Sequence, residues 1–391
     1  MSWEEVKLGD LFEITSGGTP SRDNPNFFGG SIPWFKTGDL KSSRLSNAEE
    51  FITQEALDSS SAKLFPKDTV LFAMYGATIG AAGILTIEAA TNQACAAFLP
   101  SKQVSPEFLY YFFLHNKQQF INRGVGGAQP NLSGRLLKDI KIPLPPLPIQ
   151  KKIAAVLEKA DELRRKREEQ IKRLDDLLQA TFLDMFGDPV TNPKEWDVVK
   201  LGEISHKITD GVHAKPNYTT EGKPFISVVN IKSGKIIFDN CKFVSEEDFK
   251  IFTKVNKPEF GDILYTKVGA TYGIPAFVDV HEDFCLYVSV SLIKPNHDLI
   301  NSRFLAVSMG MPYVKRQADS RIKGIGVPDL HLNQIREFDI CCPPTALQQK
   351  FVDFCIKIDE QKTHLGKLLE GQNNLFNSLM QRAFKGELDL V

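Results

Sequence analysis

From Ile153 to Phe182, apolar residues recur at steps of mostly three, four or their sums: Ile153, Val156, Ala160, Leu163, Ile171, Leu174, Leu178 and Phe182. That spacing marks one face of a helix. No proline interrupts the run between Pro148 and Pro189, and Gly187 with Pro189 supplies a stop. A second stripe runs through Phe351, Phe354, Ile358, Leu365, Leu369, Phe376 and Met380 and closes near Gly386. Each stripe predicts a helix of about 35 residues, about 50 Å long at 1.5 Å per residue. Such a length calls for another helix to lean on. Arg167 stands where the second stripe has Leu365, and Leu174 where it has Gln372. That asymmetry suits two unequal helices paired antiparallel within one chain better than a self-dimer zipper. The alternative is that each helix packs on its own globule.

Ahead of each stripe the pattern changes. Short β-branched and aromatic runs, such as Asp68-Thr69-Val70-Leu71-Phe72 and Asp262-Ile263-Leu264-Tyr265, alternate with Gly, Pro and Asn. These are strand signals. Brief helical stretches lie between them, from Pro106 to Asn116 and from Ser302 to Met309. The expected order is an α+β globule over 1–145, a long helix over 146–188, a second α+β globule over 189–342 and a second long helix over 343–391.

The two halves repeat one another. Trp3 with Val6-Lys7-Leu8-Gly9-Asp10 returns as Trp196 with Val199-Lys200-Leu201-Gly202-Glu203. Gly76-Ala77-Thr78-Ile79-Gly80 returns as Gly269-Ala270-Thr271-Tyr272-Gly273, and Pro145-Pro146 with Gln150 returns as Pro343-Pro344 with Gln348. A pseudo-twofold duplication with short insertions explains the order. Two similar globules on one chain suit a target that also comes in two parts.

Composition narrows the picture further. At 391 residues the chain is too long for one core. No apolar run is long enough to span a membrane, and Met1-Ser2-Trp3-Glu4-Glu5 lacks the basic and apolar regions of a secretory signal. The six cysteines form no C-x-x-C pair, which disfavours a zinc knuckle and fits a reducing cytoplasm. A formal net charge of −1 gives no overall basic field. Local basic faces remain open to such a chain, as does affinity borrowed from a partner.

Several phrases, in this order, resemble the specificity subunit of type I restriction-modification systems (HsdS). They are Trp3 to Asp10, Ser16-Gly17-Gly18-Thr19-Pro20, Ile32-Pro33-Trp34-Phe35-Lys36-Thr37-Gly38-Asp39-Leu40, Gln129-Pro130-Asn131-Leu132 and Pro143-Leu144-Pro145-Pro146-Leu147-Pro148-Ile149-Gln150. With the duplication, the resemblance covers the whole length. It implies two target-recognition domains, each reading one half of a split double-stranded DNA site in the major groove. It implies an antiparallel coiled coil that sets the unread spacer and docks two methyltransferase subunits. It also implies that restriction subunits join this core. S-adenosylmethionine, ATP and Mg would then act on those partners, with no cofactor and no catalytic group in this chain. The second copy departs in places: Cys341-Cys342 replace Pro143-Leu144, and Asp329 replaces Asn131. The ruler also has a geometric basis, since a helix pair of ~50 Å spans one to one and a half turns of a duplex repeating every ~34–36 Å.

Polar, glycine-rich loops supply the candidate readers. In the first globule they are Ser16, Thr19, Ser21 and Arg22, then Lys36, Thr37 and Asp39, then Tyr75 and Thr78, then Gln129 and Asn131. In the second they are Thr209, His213, Lys215, Asn230, Lys267, Tyr272 and Lys323. Glycine admits close backbone approach, and Asn or Gln can bind adenine in a bidentate way. The plainer reading is turn chemistry. It suits the repeated Gly-Ala-Thr-x-Gly best, because both halves keep it. The basic run Arg164 to Arg167 either meets phosphate or a partner or is a solvated face balanced by Glu162, Glu168 and Glu169. Leu157 and Leu177, with Arg164 and Arg167, are the candidate partner contacts.

The chain has no Gly-x-x-x-x-Gly-Lys-Ser/Thr, no Asp/Asn-Pro-Pro-Tyr/Phe and no Gly-x-Ser-x-Gly. Its histidines show no metal-ligand spacing, and Asp248-Phe249-Lys250 is too short a match to a nuclease pair. A non-catalytic DNA-recognition subunit is therefore expected. The rivals are recognition domains fused to their own nuclease or methyltransferase, and a scaffold that binds only proteins.

Overall fold

Both apolar stripes form single helices, Leu147–Phe186 and Thr345–Lys385, in the computed structural model, which describes residues 3–123, 131–214, 216–322 and 326–388. The helices have 40 and 41 residues, longer than expected, because each begins directly after its Pro-Pro pair. Pro148 falls in the first helical turn, where a missing N–H costs nothing. Among the described residues no helix is long and apolar enough to cross a membrane.

The chain divides into two compact units, Met1–Glu169 with Leu365–Val391, and Gln170–His364. The boundary does not separate globules from helices in sequence order. It divides each long helix, because each end of each helix carries its own apolar face to a different core.

In the first unit a five-stranded sheet runs in the order Ile14–Ser16, Cys95–Phe98, Val70–Ala73, Ala82–Leu85, Arg44–Leu45. A four-stranded sheet runs Glu50–Ile52, Phe28–Phe35, Ala89–Thr91, Leu64–Phe65. The helix Pro106–His115, capped by Ser105, buries Phe108, Leu109, Phe112 and Phe113. Ile153 and Leu157 of the first long helix join the same core, with Phe376, Met380 and Ala383 from the far end of the second. The Arg164 guanidinium lies 5.5 Å from the Phe376 ring centroid. Early residues of one helix thus meet late residues of the other, which is antiparallel packing.

The second unit repeats the plan. A four-stranded sheet runs Ser205–Asp210, Val290–Pro295, Ile263–Thr266, Pro275–Phe277, beside a three-stranded sheet of Lys242–Val244, Lys223–Ile226 and Cys285–Leu286. The helix Ser302–Gly310 is capped by Asn301. Phe182 and Phe186 pack on Phe351 at 5.6 and 5.3 Å between ring centroids, and both touch Phe304. Lys362 pairs with Asp175 across the two helices. In both units, packing between helices and packing on the globule occur together; the two readings were not exclusive.

One clamp recurs at the base of each long helix. The buried Gln150 amide donates to the carbonyls of Pro145 and Gln103 at 2.8 Å each and accepts from the Ser105 N–H at 3.0 Å. Gln348, also buried, donates to the Pro343 carbonyl at 2.7 Å and accepts from the Asn301 N–H at 2.9 Å. Each clamp joins the Pro-Pro turn to the residue that caps the globule's main helix. Nearby, the strand Glu5–Lys7 pairs with Lys141–Pro143, and Asp197–Lys200 pairs with Asp339–Cys342.

Two substitutions test this arrangement. Gln150→Leu keeps the volume but strands three backbone groups, two of them in buried bonds, at about 1–3 kcal/mol for each buried group left without a partner. Its denaturant midpoint should fall clearly below wild type; an unchanged midpoint contradicts the clamp. Phe376→Ala should destabilise the unit that contains the N-terminal globule by about 3–5 kcal/mol. Limited proteolysis should then cut first within 1–145; preferential cutting within 189–342 contradicts the shared core.

Candidate nucleic-acid interface

The predicted readers fall into three groups. In the first, a loop and two strands gather cations on one acid. Arg22 donates to Glu50 at 2.8 Å through Nη1, and Lys36 donates to the other oxygen at 2.6 Å. Those bonds, Arg22 first and then Lys36, hold the Glu50 carboxyl below the usual carboxylate range, and Glu50 raises Lys36 in turn. The Arg22 guanidinium lies over Phe28, 4.4 Å from its centroid. Thr19, Ser21 and Arg22 are exposed, while Ser16 and Thr37 are half-buried. Thr19 is tied to Gln93. Asp39 accepts from the Lys36 N–H at 2.8 Å, so it caps a short turn instead of presenting its carboxylate outward.

The second group joins two distant loops. Tyr75 and Asn131 share an isolated bridge, and Leu132 N–H bonds the Met74 carbonyl at 2.9 Å. Asn131 is exposed and Tyr75 half-buried. Thr78 closes the Gly-Ala-Thr-x-Gly turn. Gly76 and Gly80 there adopt φ of 78° and 80°, matched by 86° and 90° at Gly269 and Gly273. An L side chain resists that region, so the repeated motif is a turn.

The third group is the counterpart of the second. Val268 bridges to Asp329, and Lys267, almost fully buried, pairs with Asp210 at 3.4 Å and Asp329 at 3.7 Å. Exposed His213 reaches Asp210 at 3.1 Å, beside half-buried Thr209. Tyr272 is half-buried and bonds Asp319 at 2.5 Å.

Four candidates need correction. Lys267 is spent on buried ion pairs and cannot reach out to a base. Asn230 is buried: it accepts from the Ser227 N–H at 3.1 Å and donates to the Ile237 carbonyl at 3.3 Å, the same capping role as Asp39. Leu157 is fully buried in the first core and has no face for a partner. Arg164 is held within its own unit by Asp161 at 2.7 Å and Glu168 at 3.1 Å, which favours the balanced-face reading of the basic run. Leu177 is 46% exposed, and Arg167 is half-buried. Gln129, Lys215 and Lys323 lie outside the described residues.

Sequence reasoning missed Glu50 and Asp210, and met Asp329 only as the replacement for Asn131; these are the acids around which the cations gather. The sequence signal of Glu50 and Asp210 is only their place on strands, that of Asp329 its alignment with Asn131, and tertiary pairing decides which cations they meet. The cysteines carry no nucleophile signal. Burial pushes the Cys95, Cys285 and Cys355 thiols up to about 12 and Cys341 to about 11. Among the described residues no cluster of three His, Cys, Asp or Glu side chains could hold a metal ion.

Known proteins share this plan. The specificity subunit of the type I restriction enzyme MjaIX from Methanocaldococcus jannaschii is 26% identical over 409 residues, covering 99% of this chain and 93% of that protein. The EcoKI specificity subunit of Escherichia coli is 21% identical over 388 residues, covering 91% and 82%. In fold, the chain resembles the S subunit of a type I restriction-modification system from M. genitalium, with a TM-score of 0.54 and 17% identity over 98% of this chain and 96% of that one. The type I restriction modification DNA specificity domain matches twice, over residues 1–173 and 193–370, and the chain therefore belongs to that family.

Proposed function

We propose that this chain is the DNA-recognition subunit of a type I restriction-modification complex, in which each globule reads one half of a two-part site and the helices set the unread spacer. The observation that carries this reading is the duplicated globule, each copy clamped by its own glutamine to a long helix. The relatives named as type I specificity subunits support it, since they align over nearly the whole chain. Chemistry is left to partners. Two methyltransferase subunits dock on the helices and use S-adenosylmethionine; restriction subunits supply ATP- and Mg-dependent cleavage.

With equal numbers of acids and bases to within one, the chain has little long-range pull on a polyanion. Partner subunits that hold more of the duplex supply it. Exposed apolar residues on the helices suit such partners: Leu163 and Leu375 in the first unit, Leu177 and Ile356 in the second. An apolar side chain left on a helix surface gains when another protein covers it.

Replacing residues 1–140 with the equivalent of another family member tests the reading directly. The methylated motif of cells carrying the hybrid should change in one half-site only. A change in both halves, or modification without any sequence preference, contradicts it. Leu177→Glu should reduce co-elution of a methyltransferase subunit at least tenfold without shifting the melting temperature of the isolated chain. Undiminished co-elution removes Leu177 from the docking face.

A further inference from the structure

Both units place the same three-layer stack at the same position and build it from different chemistry. Trp34 pairs with Glu50 on one side and, in parallel, with Ala90 on the other. Phe225 pairs with Lys242 and, in parallel, with Cys285. Trp34 and Phe225 are thus one position of the repeated fold, and Glu50 and Lys242 another. Both central rings are buried, 1% and 2% exposed. A second ring stands nearly edge-on to each: Phe28 at 6.3 Å from Trp34, and Tyr218 at 5.7 Å from Phe225. A cation covers that second ring, with Arg22 4.4 Å from the Phe28 centroid and Lys242 4.2 Å from the Tyr218 centroid.

The frame beneath is shared, down to the capping of Lys36 by Asp39 and of Ser227 by Asn230. What the units keep alike serves the fold. What they exchange on an identical frame is free to distinguish two target sequences: glutamate for lysine, and arginine on phenylalanine for lysine on tyrosine.

We propose that this stack is the specificity-determining element of each unit, with Arg22 recognising a guanine in the half-site read by the first and Lys242 beside Tyr218 its counterpart in the second. The inference rests on the reading of the chain as a DNA-recognition subunit. A guanidinium carries five donors in one rigid plane, and guanine offers two acceptors, O6 and N7, on its major-groove edge. Glu50 engages one corner of that plane and Phe28 fixes its tilt, while the Arg22 side chain stays 55% exposed. The orientation is set before DNA arrives, so little side-chain freedom is lost on binding. Glu50 is a positioning residue. Lys242 is exposed and presents a point charge that can also meet O6 and N7.

Selecting bound duplexes from a randomised pool, with the full chain assembled on its methyltransferase subunits, tests the assignment. The wild-type complex should return a two-part motif containing guanine in the half assigned to the first unit by the hybrid above. Arg22→Ala and Arg22→Lys should each reduce that guanine preference about 10- to 100-fold and leave the other half and the spacer intact. Lys242→Ala should relax one position of the other half only. Glu50→Gln should weaken the same guanine preference as Arg22→Ala, whereas a merely structural loss lowers affinity for every sequence alike. Unaltered guanine preference in both Arg22 variants overturns the proposal. So does an equal loss of affinity for all sequences, or a change in both halves. A wild-type complex that returns no two-part motif overturns the function proposed for the chain itself.

Discussion

A buried primary amide is a demanding object: its two donors and its acceptor must all find partners, or its burial costs free energy. Gln150 meets that demand in full with main-chain groups, and Gln348 bonds through its carbonyl and one N–H: the partners common to both are a carbonyl of the Pro-Pro turn and the N–H of the residue capping the globule's main helix. Because the partners are backbone, the geometry is independent of the side chains around it. Each globule is therefore tied to the start of its own long helix in the same way, although the surrounding residues differ. The proposed division of labour needs that constraint, since a reading head is useful only at a fixed angle to its support.

Within that frame several cations are consumed locally. Lys267 is locked between Asp210 and Asp329, Arg164 between Asp161 and Glu168, and Lys294 between Glu259 and Asp262. Such pairs fix loops and leave little field to attract a duplex. Arg22, by contrast, is held at one edge by Glu50 while the rest of its head stays in water, which is what the proposed contact with a base needs. In the proposed reading, a near-neutral chain discriminates between sequences through a few oriented donors, with bulk affinity supplied by its partners.

The helices and their pairing were legible because a stripe at steps of three and four needs no knowledge of distant residues. The strands around Val70 and Ile263 were legible for the same local reason. The duplication revealed the repeated turn of Gly76 to Gly80 and the shared glutamines. The candidate site was far less legible. Asn230 and Lys267 carry groups that suit a base edge, yet both are buried, and only the fold reveals that. Leu157 and Leu177 both stand off the apolar stripe of the first long helix, but one enters a core and the other does not. Glu50 meets Arg22 through a sheet register that places it opposite Trp34, and no local pattern encodes that pairing. Sequence thus showed which loops carry polar groups; tertiary pairing decided which of those groups are already spent.

The division of the second long helix also bears on how the molecule is made. Phe376, Met380 and Ala383 are wall residues of the core that surrounds Phe108 and Leu157. A ribosome releases the N-terminal globule long before it synthesises those side chains, so the first globule emerges with one wall of its interior missing. The Gln170–His364 unit draws all of its described core from one continuous stretch. The half made later can therefore close first, and the half made earlier stays unsealed until the stretch from 376 to 383 has followed it.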